Sequence, residues 1–223
     1  MIATSLPPLT IRGHSLLPVI QGGMGVGISA HRLAGSVAKE GAIGTIASVD
    51  LRRLHPDIMQ RLRKCRDPQK HSEANAEALD REVRAAREIA GPDGFIAVNV
   101  MKALSNYADM VVQACKSGAN AVIVGAGLPF DLPALTEKFK DVALIPILSE
   151  ERGVRAVLKK WMRHGCLPDA IVIEHPRYAG GHLGATRLEE VNDARFDFKR
   201  VLEEIRKVFQ ELGIALGSIP LIP

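Results

Sequence analysis

Short apolar runs recur at intervals of roughly 25 residues, each too brief to stand as a helix and each followed by a longer amphipathic segment. That alternation admits few folds. Strand–helix units of this length put parallel strands side by side and helices on their faces, so the chain reads as α/β. Strands are expected at residues 18–22, 42–47, 94–100, 119–124, 142–148, 168–174 and 219–222, and helices at 30–40, 74–90, 106–117, 132–139, 150–164 and 198–212. Gly41, Gly91, Gly118, Gly165 and Gly213 each fall just past a helix, where a left-handed residue stops it. In the second helix, Glu77/Arg81 and Asp80/Arg84 are opposite charges four residues apart, and Leu79, Val83, Ala86 and Ile89 form its apolar stripe.

Composition narrows the class. The chain of 223 residues is 47% hydrophobic and only 4% aromatic, enough for one sizeable core in a single domain. A formal charge of +4, spread along the chain, gives no reason to expect nucleic acid. Cys65, Cys115 and Cys166 are odd in number and far apart, which suggests neither disulfides nor zinc and fits a reducing cytoplasm. Residues 1–8 lack the pattern of a secretory leader, and Gly or Pro breaks the longest apolar runs, so no membrane span is expected.

Two architectures remain, a doubly wound sheet and a closed (β/α)8 barrel. The turn Gln21-Gly-Gly-Met-Gly-Val-Gly27 has glycines at 23, 25 and 27 but lacks the last spacing of a dinucleotide fingerprint, although Asp50 keeps that reading open. A barrel needs eight strands. The sequence offers seven and stops at Pro223 directly after Ile-Pro-Leu-Ile, so the expected fold is a TIM-type (β/α)8 barrel that is incomplete, ending at the seventh strand.

In either architecture the loops at the carboxyl ends of strands carry the chemistry. The run Asp169-Ala-Ile-Val-Ile-Glu174 is followed by His175-Pro-Arg-Tyr-Ala-Gly-Gly-His-Leu-Gly184, which sets His182 among Gly180, Gly181 and Gly184. Histidine there is a candidate acid or base, and the glycines let backbone come close to a planar ligand. His175 and Tyr178 are placed to shape the same pocket, and Glu174 either meets the ligand or pairs with Arg177. Asn99 interrupts the apolar strand Phe95-Ile-Ala-Val-Asn-Val, where an unpartnered amide costs about 1–3 kcal/mol; it is either a satisfied structural amide or a ligand contact. Arg52, Arg53 and the run Arg61-Leu-Arg-Lys-Cys-Arg66 have no interleaved aromatics and read as a solvated helix face. The long segment 51–72 is expected to add a helix over the barrel mouth, as lids often do.

Four motifs, in order and spacing, resemble the FMN-dependent nitronate monooxygenase family: Pro18-Val-Ile-Gln-Gly-Gly-Met24, Val98-Asn-Val100, Gly125-Ala-Gly-Leu-Pro129 and Ala179-Gly-Gly-His-Leu-Gly184. The resemblance covers essentially the whole chain and implies a TIM barrel holding FMN. It implies that Gln21, Gly22, Gly23 and Met24 cradle the flavin ring, where an ordinary tight turn is the alternative. Asn99 would hydrogen-bond the ring, Glu174, Gly180 and Gly181 would join the cofactor site, and His182 would be the catalytic histidine. Family members continue into a Gly-Gly loop and an eighth strand whose glycine-rich turn helps hold the FMN phosphate, and neither has a counterpart before Pro223. The activity implied is oxidation of an alkyl nitronate or nitroalkane by O2. An FMN-dependent enoyl-acyl-carrier-protein reductase shares the Gln-Gly-Gly-Met and Gly-Gly-His pattern, and a non-catalytic truncated fragment is the third reading. Unpaired outer strands invite association, so a homo-oligomer is among the expected partners.

Overall fold

The computed structural model describes residues 4–179, 185 and 187–223. Its first element is a small antiparallel hairpin, β1 (Leu9–Ile11) and β2 (His14–Leu16), turned by Arg12 and Gly13 with φ of 48° and 81°. Positive φ at both central residues is the two-residue turn that suits strand twist. Strands of three residues are too short to show a period, which is why the sequence did not reveal them.

Residues 18–22 form a single bridge rather than the expected strand. Ile20 bridges Ile43 in parallel, with Gln21 N–H donating to Ile43 O at 3.0 Å and Ile43 N–H to Val19 O at 3.1 Å. Pro18 has no N–H to extend the ladder backwards, and the glycines at 22 and 23 leave it.

Six parallel strands follow, β3 (Ile43–Ala47), β4 (Phe95–Met101), β5 (Ala121–Gly125), β6 (Ala143–Leu148), β7 (Ile171–Ile173) and β8 (Leu221–Ile222), each paired with the next in sequence. A doubly wound sheet reverses its strand order at a switch point. This sheet never reverses, so it is a six-stranded half-barrel and the dinucleotide reading falls.

The strands alternate between two cores. Val98, Val122, Leu144 and Ile171 face the helices and pack with Leu79, Val83, Val111, Val157 and Val208. Ile43, Phe95, Ala97, Ala121, Ile123, Ala143 and Ile145 face the barrel interior, where Ile11 and Leu16 of the hairpin join them. Register aligns Thr45, Ala97, Ala121 and Ala143 in one inner layer and Ala47, Asn99, Ile123 and Ile145 in the next. Small side chains in the lower layer leave the upper one room to open.

The helices are α1 (His31–Lys39), α2 (Pro56–Arg61), α3 (Pro68–Ala90), α4 (Tyr107–Lys116), α5 (Leu132–Leu135), α6 (Glu151–Met162) and α7 (Phe198–Glu211). Helix α3 starts six residues ahead of the expected position, because Asp67 accepts the Gln69 N–H at 2.9 Å and Pro68 occupies the first helical position. Helix α5 ends early, where the Thr136 hydroxyl bonds back to Leu132 O at 2.9 Å and the chain tightens toward Phe139. All five glycines expected to end helices have φ between 64° and 88°.

The segment expected to lie over the mouth does contain a helix, but α2 is pinned to α3. Ile58 is fully buried, and Arg61 and Arg81 tie Asp57 and Glu77 together at 2.5–2.9 Å. This is also where part of the basic run goes. Hydrogen bonding from Arg61 holds the Glu77 carboxyl below its ordinary range, Arg81 does the same to Asp57, and Arg155 to Glu211. Groups with lowered folded pKa contribute stability above their unfolded values and lose it as pH falls through the folded ones. The melting temperature is therefore expected to be flat above about pH 5 and to fall on further acidification, with a smaller drop in added salt because these pairs are exposed. Thermal melts between pH 7 and pH 3 at two salt concentrations check both points.

No described helix is long and apolar enough to cross a membrane, and no metal-binding group of three appears among the described residues. All three cysteines are free thiols, and burial pushes Cys115 up to about 11.

Candidate functional site

The upper inner layer opens at the carboxyl ends of the strands into a cavity of about 550 Å³. Its floor is Thr45, Asn99, Ile123, Ile147, Val172 and Ile222, all inward positions of successive strands. One wall is the loop from Gln21 to Gly25, and Glu174 and Tyr178 stand at the opposite side.

Gln21 organises that loop through its side chain. Its amide oxygen accepts the Thr45 N–H at 3.1 Å while Nε2 donates to Thr45 O at 2.9 Å, so a side-chain amide pairs with strand β3 as a peptide would. Nε2 also reaches Ser29 Oγ at 2.7 Å and Gly22 O at 2.8 Å, which commits all its donors. Ser29, fully buried, receives the Met24 N–H at 2.9 Å on its hydroxyl and donates to Gly22 O at 3.0 Å. Gln21 thus shapes the loop through its side chain, and Gln21, Gly22, Gly23 and Met24 all border the cavity.

Glycine is required at Gly23. A Cβ there would stand 2.5 Å from Asn99 Cβ, so only a glycine lets the loop lie this close to β4. At Gly22 a Cβ would meet nothing within 4 Å, which leaves bare backbone facing open space. Asn99 is 5% exposed and lines the cavity, and its side-chain amide makes no hydrogen bond among the described residues. The Thr45 hydroxyl is buried and likewise unpartnered. Unsatisfied polar groups beside a cavity are rare in native interiors and call for an explanation.

At the far side, Glu174 follows β7, its N–H bonded to Leu148 O at 2.9 Å. His175 and Tyr178 close a turn, Tyr178 N–H to His175 O at 2.9 Å, with rings 5.1 Å apart. Tyr178 lines the cavity, whereas His175 packs edge-on against Phe196 and Phe198. His182, Gly180 and Gly181 lie outside the described residues. In the loop after β5, Ala126 and Gly127 take φ of 58° and 136° and border a neighbouring cavity of about 410 Å³ that shares Ile147 and Glu174 with the first.

Sequence reasoning missed Ser29 and Thr45. Thr45 had a readable signal, as the one polar residue in Ile43–Ala47 and of inward parity. Ser29 had none, since its partners are set by the fold of the loop.

The family model for nitronate monooxygenase matches residues 11–223. The chain belongs to that family. The family is FMN-dependent, and two of its motifs, around Gln21–Met24 and at Asn99, line the barrel cavity. A structure of nitroalkane oxidase from Streptomyces ansochromogenes is similar with a TM-score of 0.62 at 17% identity, covering 92% of this chain and 57% of that one. FabK from Thermotoga maritima is similar with a TM-score of 0.59 at 17% identity, over 92% and 49%, and its M276A mutant gives 0.61 at 16%, over 92% and 52%. At such identities these likenesses establish the fold, an incomplete TIM-type barrel. The chain spans about half the length of the structures it matches. No curated protein sequence matches it.

Proposed function

We propose that the chain binds FMN in the barrel cavity and oxidises alkyl nitronates, or nitroalkanes, with O2. The observation that carries this reading is the bare Gly22 backbone and, packed beside it, the Asn99 amide, both lining a cavity within the range of about 300–1,000 Å³ that cofactors occupy. Residues and group fit. Backbone at Gly22, Gly23 and Met24 would lie against the ring, and Asn99 would supply the hydrogen bond that its burial leaves unmade. Gly180, Gly181 and Glu174 complete the proposed cofactor site.

FMN supplies the redox chemistry when bound. The protein's share is position and one polar partner. His182 orients the substrate by hydrogen-bonding its nitro oxygens, and with a neutral nitroalkane it takes the α-proton. The inner wall of Ile123, Ile147, Val172 and Ile222 keeps water from the reacting face. Three free thiols make a reducing cytoplasm the compartment we propose.

Titrating FMN into purified protein and following O2 uptake with an alkyl nitronate tests this. A yellow complex that turns over is expected, and a protein that stays colourless on reconstitution overturns the reading and favours a non-catalytic chain. Consumption of NAD(P)H with an enoyl thioester, without nitronate turnover, would replace it by the enoyl reductase. Asn99→Leu sharpens the test, since it removes a buried amide at nearly constant shape. Flavin-free protein should gain about 1 kcal/mol or more, while FMN affinity drops about tenfold.

A further inference from the structure

A further cavity, of about 460 Å³, lies between the amino ends of α3 and α4 and meets the barrel cavity at Val49, which lines both. Its lining includes Arg52, Arg66 and Asn75 as donors, beside the Asp50 carboxylate, several hydroxyls and His71, whose Nδ1 is buried without a partner. Asn75 is 5% exposed; its oxygen accepts Arg52 N–H at 3.3 Å and Arg52 Nη1 at 3.2 Å, and its Nδ2 has no acceptor among the described residues. Arg52 Nε is buried and unpartnered. Arg66 lies at the rim and makes no ion pair among the described residues, unlike Arg52, Arg53 and Arg61. Helix α4 begins at the same wall; its Asn106 side chain makes no capping bond, and with Tyr107 N–H taken by Leu104 O at 3.1 Å the Ala108 and Asp109 N–H groups are left uncapped.

The carboxylates nearby are already engaged. Asp50 is held by Arg52 and by Arg53 at 2.9 Å, Asp67 caps α3, and Asp109 takes the Ser72 hydroxyl at 3.3 Å. What remains is a concave site with a buried amide donor, a free guanidinium and an uncapped helix start. That donor set matches a compact oxyanion with several acceptor oxygens.

We propose that this cavity binds a phosphate group, with Asn75 and Arg66 as its main donors. The phosphate is either free or carried by an organic ligand that crosses Val49 from the barrel cavity. Neither case requires that flavin bind, because inorganic phosphate alone probes the site.

Calorimetric titration of flavin-free protein with inorganic phosphate, against chloride at matched ionic strength, should show saturable binding. Arg66→Glu should weaken it about tenfold or more with the melting temperature unchanged in phosphate-free buffer. Ser105→Glu, which places a carboxylate on the same wall, should act alike. If Arg66→Glu also weakens FMN but spares riboflavin, the phosphate is the flavin's own; if it spares both flavins, free phosphate is the ligand. The proposal is overturned if phosphate gives no saturable signal beyond chloride, or if both variants bind it as wild type does.

Discussion

Replacing His182 with alanine should leave FMN bound and lower nitronate oxidation by about 10²–10⁴-fold, the usual worth of a positioned acid–base group. The loss should depend on the form of the substrate. A preformed nitronate needs only orientation, so it loses the hydrogen bonds to its nitro oxygens. A neutral nitroalkane must also surrender an α-proton, and without imidazole in reach it should lose more. Comparing kcat/KM for both substrates against pH, in wild type and His182→Ala, separates the two roles. Unchanged turnover of both would remove His182 from the chemistry, with the flavin spectrum reporting independently on the cofactor.

The largest structural effect is expected at Gly44. An added Cβ would stand 1.8 Å from Ala34 O and 2.7 Å from Ala34 C, both backbone atoms of α1. No rotamer change can relieve that clash, so helix and strand must separate. Helix α1 cannot retreat, because at Gly35 it already lies against Ile89 and the Ala86 carbonyl of α3, where a Cβ would meet atoms at 2.7 and 2.8 Å. Gly44→Ala should therefore cost about 3 kcal/mol or more, a fall of about 6–12 °C in melting temperature for a chain of this size. Gly91→Ala is the matched control. There φ is 79° but a Cβ meets nothing within 4 Å, so only backbone strain remains, about 1 kcal/mol. Equal melting temperatures for the two variants would refute the packing argument. Because α1 starts two residues after Ser29, displacing it should also weaken the loop that Ser29 ties, and FMN with it.

Local signals carried most of the fold. Gly41, Gly91, Gly118, Gly165 and Gly213 end helices because each must take positive φ, a requirement written in the residue itself. The pairs Glu77–Arg81 and Asp80–Arg84 form at 2.5 and 2.7 Å because four residues is one helical turn. Signals with distant partners were not legible. Gln21 pairs with Thr45 and Ser29, and nothing in the spacing says that a glutamine will replace a peptide unit in the ladder. Asn99 stands out in the sequence as a polar residue in an apolar strand, but that its amide opens onto a cavity beside Gly23 follows only from the fold. The start of α3 was legible and missed, since Asp67-Pro68 is a cap followed by a proline at the first helical position.

The double hydrogen bond between the Gln21 amide and Thr45 has a mechanical consequence. Because the loop is stitched to β3 by the same pattern that joins two strands, it cannot swing away without breaking sheet-type bonds and the Ser29 ties behind them. The cradle and the barrel wall therefore move as one rigid part. A rearrangement that widened the cavity on this side would have to break those bonds first, so this wall presents one fixed shape to whatever enters.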